Sequence, residues 1–367
     1  MVLTRVVGMD RSTEARDTAR PPAPALRVAL VSGLDSTERS RVSRMTAGVP
    51  AEDAPTSDIT DETEDSAEFA LVLAEHVLAA AHAGATGRTV IELDAEADVM
   101  EVGFVLETEL EGRRNEGPPA ELHDLVTVAR VRDVHRWLLS AAPAPAVDFV
   151  TAESLASQLE FATVVVLADA ADVSPGQLRS TVGLVQRLNP DAAVVTSVAT
   201  ARQPTGWPGG RGCARRIGRR MGWTRALAEP DLPAASWNGV DVLVFRDPRP
   251  FHPDRLFDSV RHRLVPDQVG RIARSRGLVQ LATRPDHHGS WRSAGDTVSL
   301  DPTGIASWDP DAPIGQEMVF FGEHLDRDEI IAALHACLLT NDELLAGPTS
   351  WRRYGDPFPA WPLHHDH

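Results

Sequence analysis

The chain has 367 residues, 43% of them hydrophobic and 24% charged, with 36 basic residues against 53 acidic ones for a formal charge of −17. This composition excludes wholesale disorder, and the length suits two domains. All 36 basic residues are arginine, which excludes a Schiff-base lysine, a P-loop lysine and the lysine of a guanine-reading NKxD motif.

Residues 1–25 are polar and then Pro-rich, and are expected to form a flexible leader. They contain no apolar signal segment, and no apolar run in the chain approaches roughly 18 residues, so a cytoplasmic protein with no membrane partner is expected. Short β-branched runs follow at 26–32 (LRVALVS), 88–94, 125–131, 162–169 and 192–198. The segments 67–83, 151–160 and 176–188 between them carry apolar residues at helical spacing. This alternation predicts an α/β unit over 26–200, a P-loop-like, doubly wound, mainly parallel sheet. Residues 201–239 are rich in Arg, Gly and Pro and are expected to be a linker. Residues 240–345 predict a smaller C-terminal α+β domain in the order β, α, β, β, β, α, followed by a tail over 346–367.

In a doubly wound sheet a ligand sits at the carboxyl ends of the strands, which directs attention to the turn SGLDSTERSRV after the first strand. Gly33, Glu38, Arg39 and Ser40 keep the spacing of G-x4-G-K-[ST], with Glu38 in place of the second glycine and Arg39 in place of the lysine. A carboxylate in that position repels phosphate. The turn is read as a strand-to-helix connection, with Arg39 holding a phosphate as the alternative.

From about residue 26 to the end, the sequence resembles the CobW family. RPFHPDRLFDSV, RIARSRGLVQLATRP, SWRSAG, ALHACLLTNDEL and DPFPAW are similar, in that order, to the family's C-terminal domain. QLEFATVVVLADAADV, RLNPDAAVV and VIELDAEAD resemble segments of its GTPase domain. The resemblance implies a P-loop GTPase fold, GTP with Mg²⁺, and a link to zinc. Mapped onto it, Gly33, Arg39, Ser40, Glu92 and Asp172 are the remains of a nucleotide site, with Asp169 and Ala170 near the Asn and Lys of NKxD and Ala95 at a γ-phosphate-sensing glycine. The family's CxCC metal motif has no counterpart in SDITDETEDSAEFALVLAEHVLAAAHAG, and no catalytic residue or metal site is assigned. The turn LVSGLDSTERS is most similar to an actinobacterial branch whose GTPases recruit a hibernation factor to ribosomes in zinc limitation. The implied function is a scaffold or pseudo-GTPase of that kind, and the alternative is a GTP-dependent zinc metallochaperone.

Charge is unevenly placed. Residues 52–124 hold 20 acidic residues and three arginines, a solvated face or a surface for a basic partner. Arg211, Arg215, Arg216, Arg219, Arg220 and Arg225 have no acid among them and are interleaved with tryptophan; they are read as an rRNA or partner contact, with docking on the acidic first half as the alternative. DNA is not expected as a partner. His287, His288 and the tail histidines 364, 365 and 367 are read as adventitious metal binders at most, and His252 as a capping or packing residue. Cys213 and Cys337 are too few for a thiolate cluster.

Overall fold

A computed structural model describes residues 26–47, 65–95, 97–140, 149–196, 221–229, 236–310 and 312–361. The first unit is built on five strands, β1 (Leu26–Ser32), β2 (Gly87–Glu92), β3 (Ala120–Ala129), β4 (Val164–Leu167) and β5 (Ala193–Val195), in the order β2-β1-β3-β4-β5. Every pairing in it is parallel, as the buried β-branched runs predict. Side-chain alternation sends Val31, Val126, Val128, Val164 and Val166 to one face, where Val42 of α1 (Ser36–Ala47) covers them. Leu26, Val28 and Leu30 face α2 (Ser66–His82) and α3 (Val99–Gly112) on the other. Farther along that second face, Val165 and Leu167 meet α5 (Phe149–Phe161) and α6 (Pro175–Leu188).

Helix starts are written locally. Ser174 and Gln177 form a capping box ahead of α6, with Pro175 at its first position. Asp65 and Asp98 cap α2 and α3 by accepting backbone N–H groups of their first turns. Helix α3 lies in an acidic stretch that the hydrophobic pattern leaves unassigned; its Val102, Leu106 and Leu110 are buried against α2 and β3 while Glu101 and Glu111 are exposed. Strand β3 starts at Ala120, earlier than expected, because pairing with β1 carries the polar ELHD segment into the sheet. There Asp124 is buried and accepts from His123, Arg88 and Thr163. A short α4 (Val131–Val134) runs into a π-helical turn, His135–Leu139.

After α7 (Gly222–Ala228) comes an antiparallel sheet of β6 (Val240–Asp247), β7 (Arg271–Val279), β8 (His287–Ala294), β9 (Thr297–Ala306) and β10 (Gln316–Glu323), ordered β6-β10-β7-β8-β9. The run WRSAGDTVSLD is not one strand: Gly295 and Asp296 turn the chain between β8 and β9, adding a strand to the expected order. Helices α8 (Pro253–His262), α9 (Pro266–Val269) and α10 (Arg327–Cys337), then α11 (Asn341–Ala346) and α12 (Pro348–Trp351), complete the unit. No helix among the described residues is long and apolar enough to cross a membrane.

In this second sheet both faces of β6 and β10 are covered, and VDVLVFRD and QEMVFFGE are accordingly rich in apolar residues at successive positions. Leu243, Phe245, Met318, Phe320 and Trp291 pack on one side with Leu256 of α8 and Leu334 of α10. Val240, Val242, Val319, Phe321, Ala273 and Ala294 share a core on the other side with Leu155, Leu159, Leu184 and Leu188 of α5 and α6. Set into that junction is Arg274, fully buried, which donates to both carboxylate oxygens of Glu160 at 2.8 and 2.9 Å, to Glu153 at 3.0 Å and to the Ser293 carbonyl at 3.2 Å. Arg276 donates to Glu160 at 2.6 Å, and Arg271 reaches the Leu138 carbonyl at 3.0 Å. Gly295, with φ +56°, approaches so closely that a Cβ there would lie 2.1 Å from the Trp137 carbonyl oxygen.

Burial alone would raise the Glu160 carboxyl, but Arg274 and Arg276 outweigh it and hold the group at about 2, below its ordinary 4.5. The native carboxylate therefore releases its proton at a lower pH than the unfolded one, and its contribution is complete above about pH 4.5 and is lost as pH falls toward 2. Urea unfolding followed from pH 6 to pH 3 should show stability falling through the lower part of that range. Arg274→Ala should cost about 3–5 kcal/mol at pH 7, because it strands a buried carboxylate, and should flatten that pH dependence.

Candidate functional site

In the order β2-β1-β3-β4-β5 the succession of strands reverses between the parallel neighbours β1 and β3, and the crevice at their carboxyl ends is where such sheets take ligands. The turn after β1 enters it at Gly33, where a Cβ would meet the Val128 carbonyl oxygen at 2.5 Å, so only glycine lets β1 and β3 come this close. Asp35 then starts α1: its carboxylate accepts from the Glu38 N–H at 2.9 Å, and its carbonyl from the Arg39 N–H. The same carboxylate pairs with Arg130 at 2.5 Å, at the end of β3.

Gly33, Arg39, Ser40 and Glu92 are brought together here. Arg39 is 8% exposed; its Nη1 donates to the Gly33 carbonyl at 2.6 Å and its Nε to Glu92 Oε1 at 3.0 Å. Ser40 donates to the same Glu92 oxygen at 2.8 Å. The guanidinium that occupies the place of a P-loop lysine is turned inward onto a backbone carbonyl and a carboxylate. Glu38 pairs with Arg41 on the outer side of α1. Asp172 is not part of this group: it lies exposed beyond β4, where its carbonyl accepts from Arg132.

Sequence reasoning missed Asp35, Arg130 and the role of Asp169. Asp169 accepts from the Val131 N–H at 2.6 Å and caps α4, and it lies 3.7 Å from Arg132. The D-S-T-E spacing of Asp35 and Glu38 was the readable signal for a helix start. Nearby, Asp133 is raised above the ordinary aspartate range, chiefly by burial, with Asp169 and Asp35 adding to the effect against Arg130. The space bounded by Leu34, Asp35, Glu38, Val128, Arg130 and Asp133 has no room for a water molecule.

These residues do not fit a nucleoside triphosphate. A phosphate site needs free N–H groups and an uncommitted cation, whereas here the Asp35 carboxylate already takes the N–H of Glu38 at the helix start, and Glu92 and the Gly33 carbonyl take the cation. Ala95, at the expected sensing position, offers its carbonyl to Ser154 at 3.3 Å and so ties its turn to α5.

The other sequence candidates are dispersed. Arg211, Arg215, Arg216, Arg219 and Arg220 lie outside the described residues, as do Cys213 and the tail histidines; Arg225 pairs with Glu229 at 3.0 Å on α7. His287 is exposed beside Trp308, while the next residue, His288, is buried, as strand alternation requires. His252 makes no side-chain cap and stacks on Tyr354 at 4.6 Å. Burial raises the Cys337 thiol, which donates to the Ala333 carbonyl. Among the described residues, no three His, Cys, Asp or Glu side chains are placed to hold a metal ion.

Residues 240–338 match the cobalamin synthesis protein cobW C-terminal domain. The chain is similar to a zinc-regulated GTPase metalloprotein activator of Dictyostelium discoideum, 26% identical over 228 residues that cover 55% of this chain and 47% of the relative. It is also similar to a zinc chaperone of Mycobacterium tuberculosis, 30% identical over 152 residues covering 35% of this chain and 37% of the relative. The match spans less than half the length of either curated relative. Among solved structures, the Zn(II)-bound YjiA GTPase of E. coli aligns over 86% of this chain and 99% of its own at 14% identity and a TM-score of 0.32, too loose a superposition to add to the topology. Residues 240–338 are thus a cobW C-terminal domain, and in this chain a parallel α/β unit precedes it.

Proposed function

We propose that this chain is a CobW-like scaffold, a pseudo-GTPase that works in zinc homeostasis by binding a partner and does not turn over nucleotide. The observation that carries the reading is Arg39, buried and committed to the Gly33 carbonyl and Glu92. Without a free cation, charge developing on a transferred phosphoryl group has no counterpart at this turn. The zinc connection rests on the similarity to a zinc-regulated GTPase metalloprotein activator and to a zinc chaperone.

The finer reading follows the resemblance of the turn to factors that recruit a hibernation factor to ribosomes in zinc limitation. In this reading the linker arginines touch rRNA and the acidic segment of the first unit holds a basic protein, both contacts being weakened by salt. The second reading, GTP-dependent zinc delivery, is favoured by the similarity to the mycobacterial zinc chaperone.

Titration with GTP and Mg²⁺ separates the two. The scaffold reading expects binding no tighter than about millimolar and no turnover above background. Arg39→Ala should lower stability by about 1–3 kcal/mol in urea, since it removes charge-assisted bonds to Glu92, and should leave the weak nucleotide response unchanged. Micromolar GTP affinity with turnover that vanishes in Arg39→Ala would restore the metallochaperone. For the partner, sedimentation under zinc limitation should place the protein with ribosomal particles at low salt, and replacing Arg211, Arg215, Arg216, Arg219, Arg220 and Arg225 with serine should release it. Retention in the soluble pool together with tight binding of one zinc per chain would reverse that assignment.

A further inference from the structure

A cavity of about 430 Å³ lies away from the turn after β1, between the end of α6, the helix α7 and β6, which is an edge strand of the second sheet. Gln186 and Arg187 of α6, Arg225 of α7 and Trp237 line it together with Val242 and Phe321 of the sheet. Trp237 is fixed in place and yet exposed. Its backbone pairs with Val240 in both directions at 3.0 Å across Asn238 and Gly239, whose φ values of +53° and +87° make the two-residue turn that leads into β6. Its indole N–H donates to Gln186 Oε1 at 2.8 Å. With backbone and indole both held, 56% of the residue still faces solvent.

A single exposed tryptophan carries nothing by itself; the cations beside it decide what the ring is for. Among the described residues that line the cavity two are arginine and none is acidic. Arg225 pairs with Glu229 at 3.0 Å, but the two side chains are 52% and 49% exposed, and a solvated pair of that kind yields readily to a competing anion. Arg39 and Glu92, 10% and 20% exposed, are the opposite case. Arg187 is half-buried, and its guanidinium is held below its ordinary value chiefly by burial, with Arg327 adding to the effect against Asp241, so an anion entering the cavity favours its charged form. An open ring face next to two cations matches a nucleobase carried on a phosphate, the base stacking on the indole and the phosphate taken by the arginine forks. Since Gln186 Oε1 is committed to the indole, the lining reads a base mainly by its face. That is the sequence-tolerant mode in which proteins hold single strands, where successive stacking and phosphate contacts add up along the chain.

We propose that this cavity is a contact for single-stranded RNA, with Trp237 as the stacking platform and Arg187 and Arg225 on the phosphates. It rests on the rRNA contact of the scaffold reading, of which Arg225 is already a part, and adds to it a site built on α6, α7 and the turn into β6. It is separate from Arg39 and Glu92 and independent of whether the turn after β1 takes nucleotide.

The test is fluorescence anisotropy of a labelled oligouridylate titrated with the full chain at low salt. Saturable binding in the micromolar range is expected, weakened at least about tenfold in Trp237→Leu and kept within about threefold of the parent in Trp237→Phe, which retains a ring to stack on. A packing role would be served by leucine as well as by phenylalanine, so the order of these two variants separates stacking from structure. Arg225→Gln should weaken binding and make its salt dependence shallower by about one phosphate contact. Trp308→Leu, at an exposed tryptophan elsewhere on the second unit, should bind as the parent does. Uridine monophosphate should displace the RNA only at concentrations at least about tenfold above those at which the RNA binds, and displacement at equal concentration would assign the cavity to a free nucleotide and overturn the strand. Undiminished RNA binding in Trp237→Leu would overturn this site alone, and the rRNA reading would then stand on the serine variant of the six arginines. Absence of saturable RNA binding in a protein that still sediments with ribosomal particles would likewise overturn this site and leave recruitment in place.

Discussion

A guanidinium with no exposure to water has to be matched inside the protein, and Arg274 is matched by carboxylates on another unit of the chain. Glu153 and Glu160 stand seven residues apart on α5, two turns of helix, so both face the second sheet, and β7 presents Arg274 and Arg276 to them on alternate positions. Neither partner is tolerable without the other, which fixes how the CobW C-terminal domain sits on the α/β unit. The apolar residues around them, from Leu155 and Leu159 to Val319 and Phe321, close the same junction against water.

Helix α5 consequently serves three environments. One stripe fills the core beneath β4, a second carries the two glutamates, and a third, with Ser154, Ser157 and Gln158, lines a cavity beside α3. The turn after β2 is tied to the same helix through Ser154 and the Ala95 carbonyl. Geometry at the strand ends and geometry at the domain junction are thus set by one element.

At the turn after β1 the balance is electrostatic. Asp35, Glu38, Glu92 and Asp169 surround Arg39, Arg41, Arg130 and Arg132, and each cation has a carboxylate within 4 Å. An incoming phosphate would have to displace these internal anions, which are already in place and are paired without cost in translational freedom. A glycine-rich loop with a lysine leaves its donors open; this turn closes them with its own acids.

Much of this protein is local and legible in the residues alone. Alternating β-branched runs fix a parallel sheet with intervening helices, and Ser174 to Gln177 marks the start of α6, because each of these signals needs only neighbours within a few positions; RPFHPDRLFDSV, RIARSRGLVQLATRP and SWRSAG mark the C-terminal domain by resemblance. The absence of lysine likewise excludes by itself a P-loop lysine at the turn after β1. The acidic stretch hid α3, whose apolar stripe is narrow, and WRSAGDTVSLD read as a single strand passes over its Gly-Asp pair, the two-residue turn between β8 and β9. The partners of Arg39 and Arg274 were not legible: Glu92 lies 53 residues from the one and Glu160 lies 114 from the other, and nothing in either local pattern distinguishes a solvated arginine from a buried one. Strand register and the docking of α5 against β7 bring those charges within bonding distance, and only that long-range packing turns an arginine in the place of a phosphate-binding lysine into a structural lock.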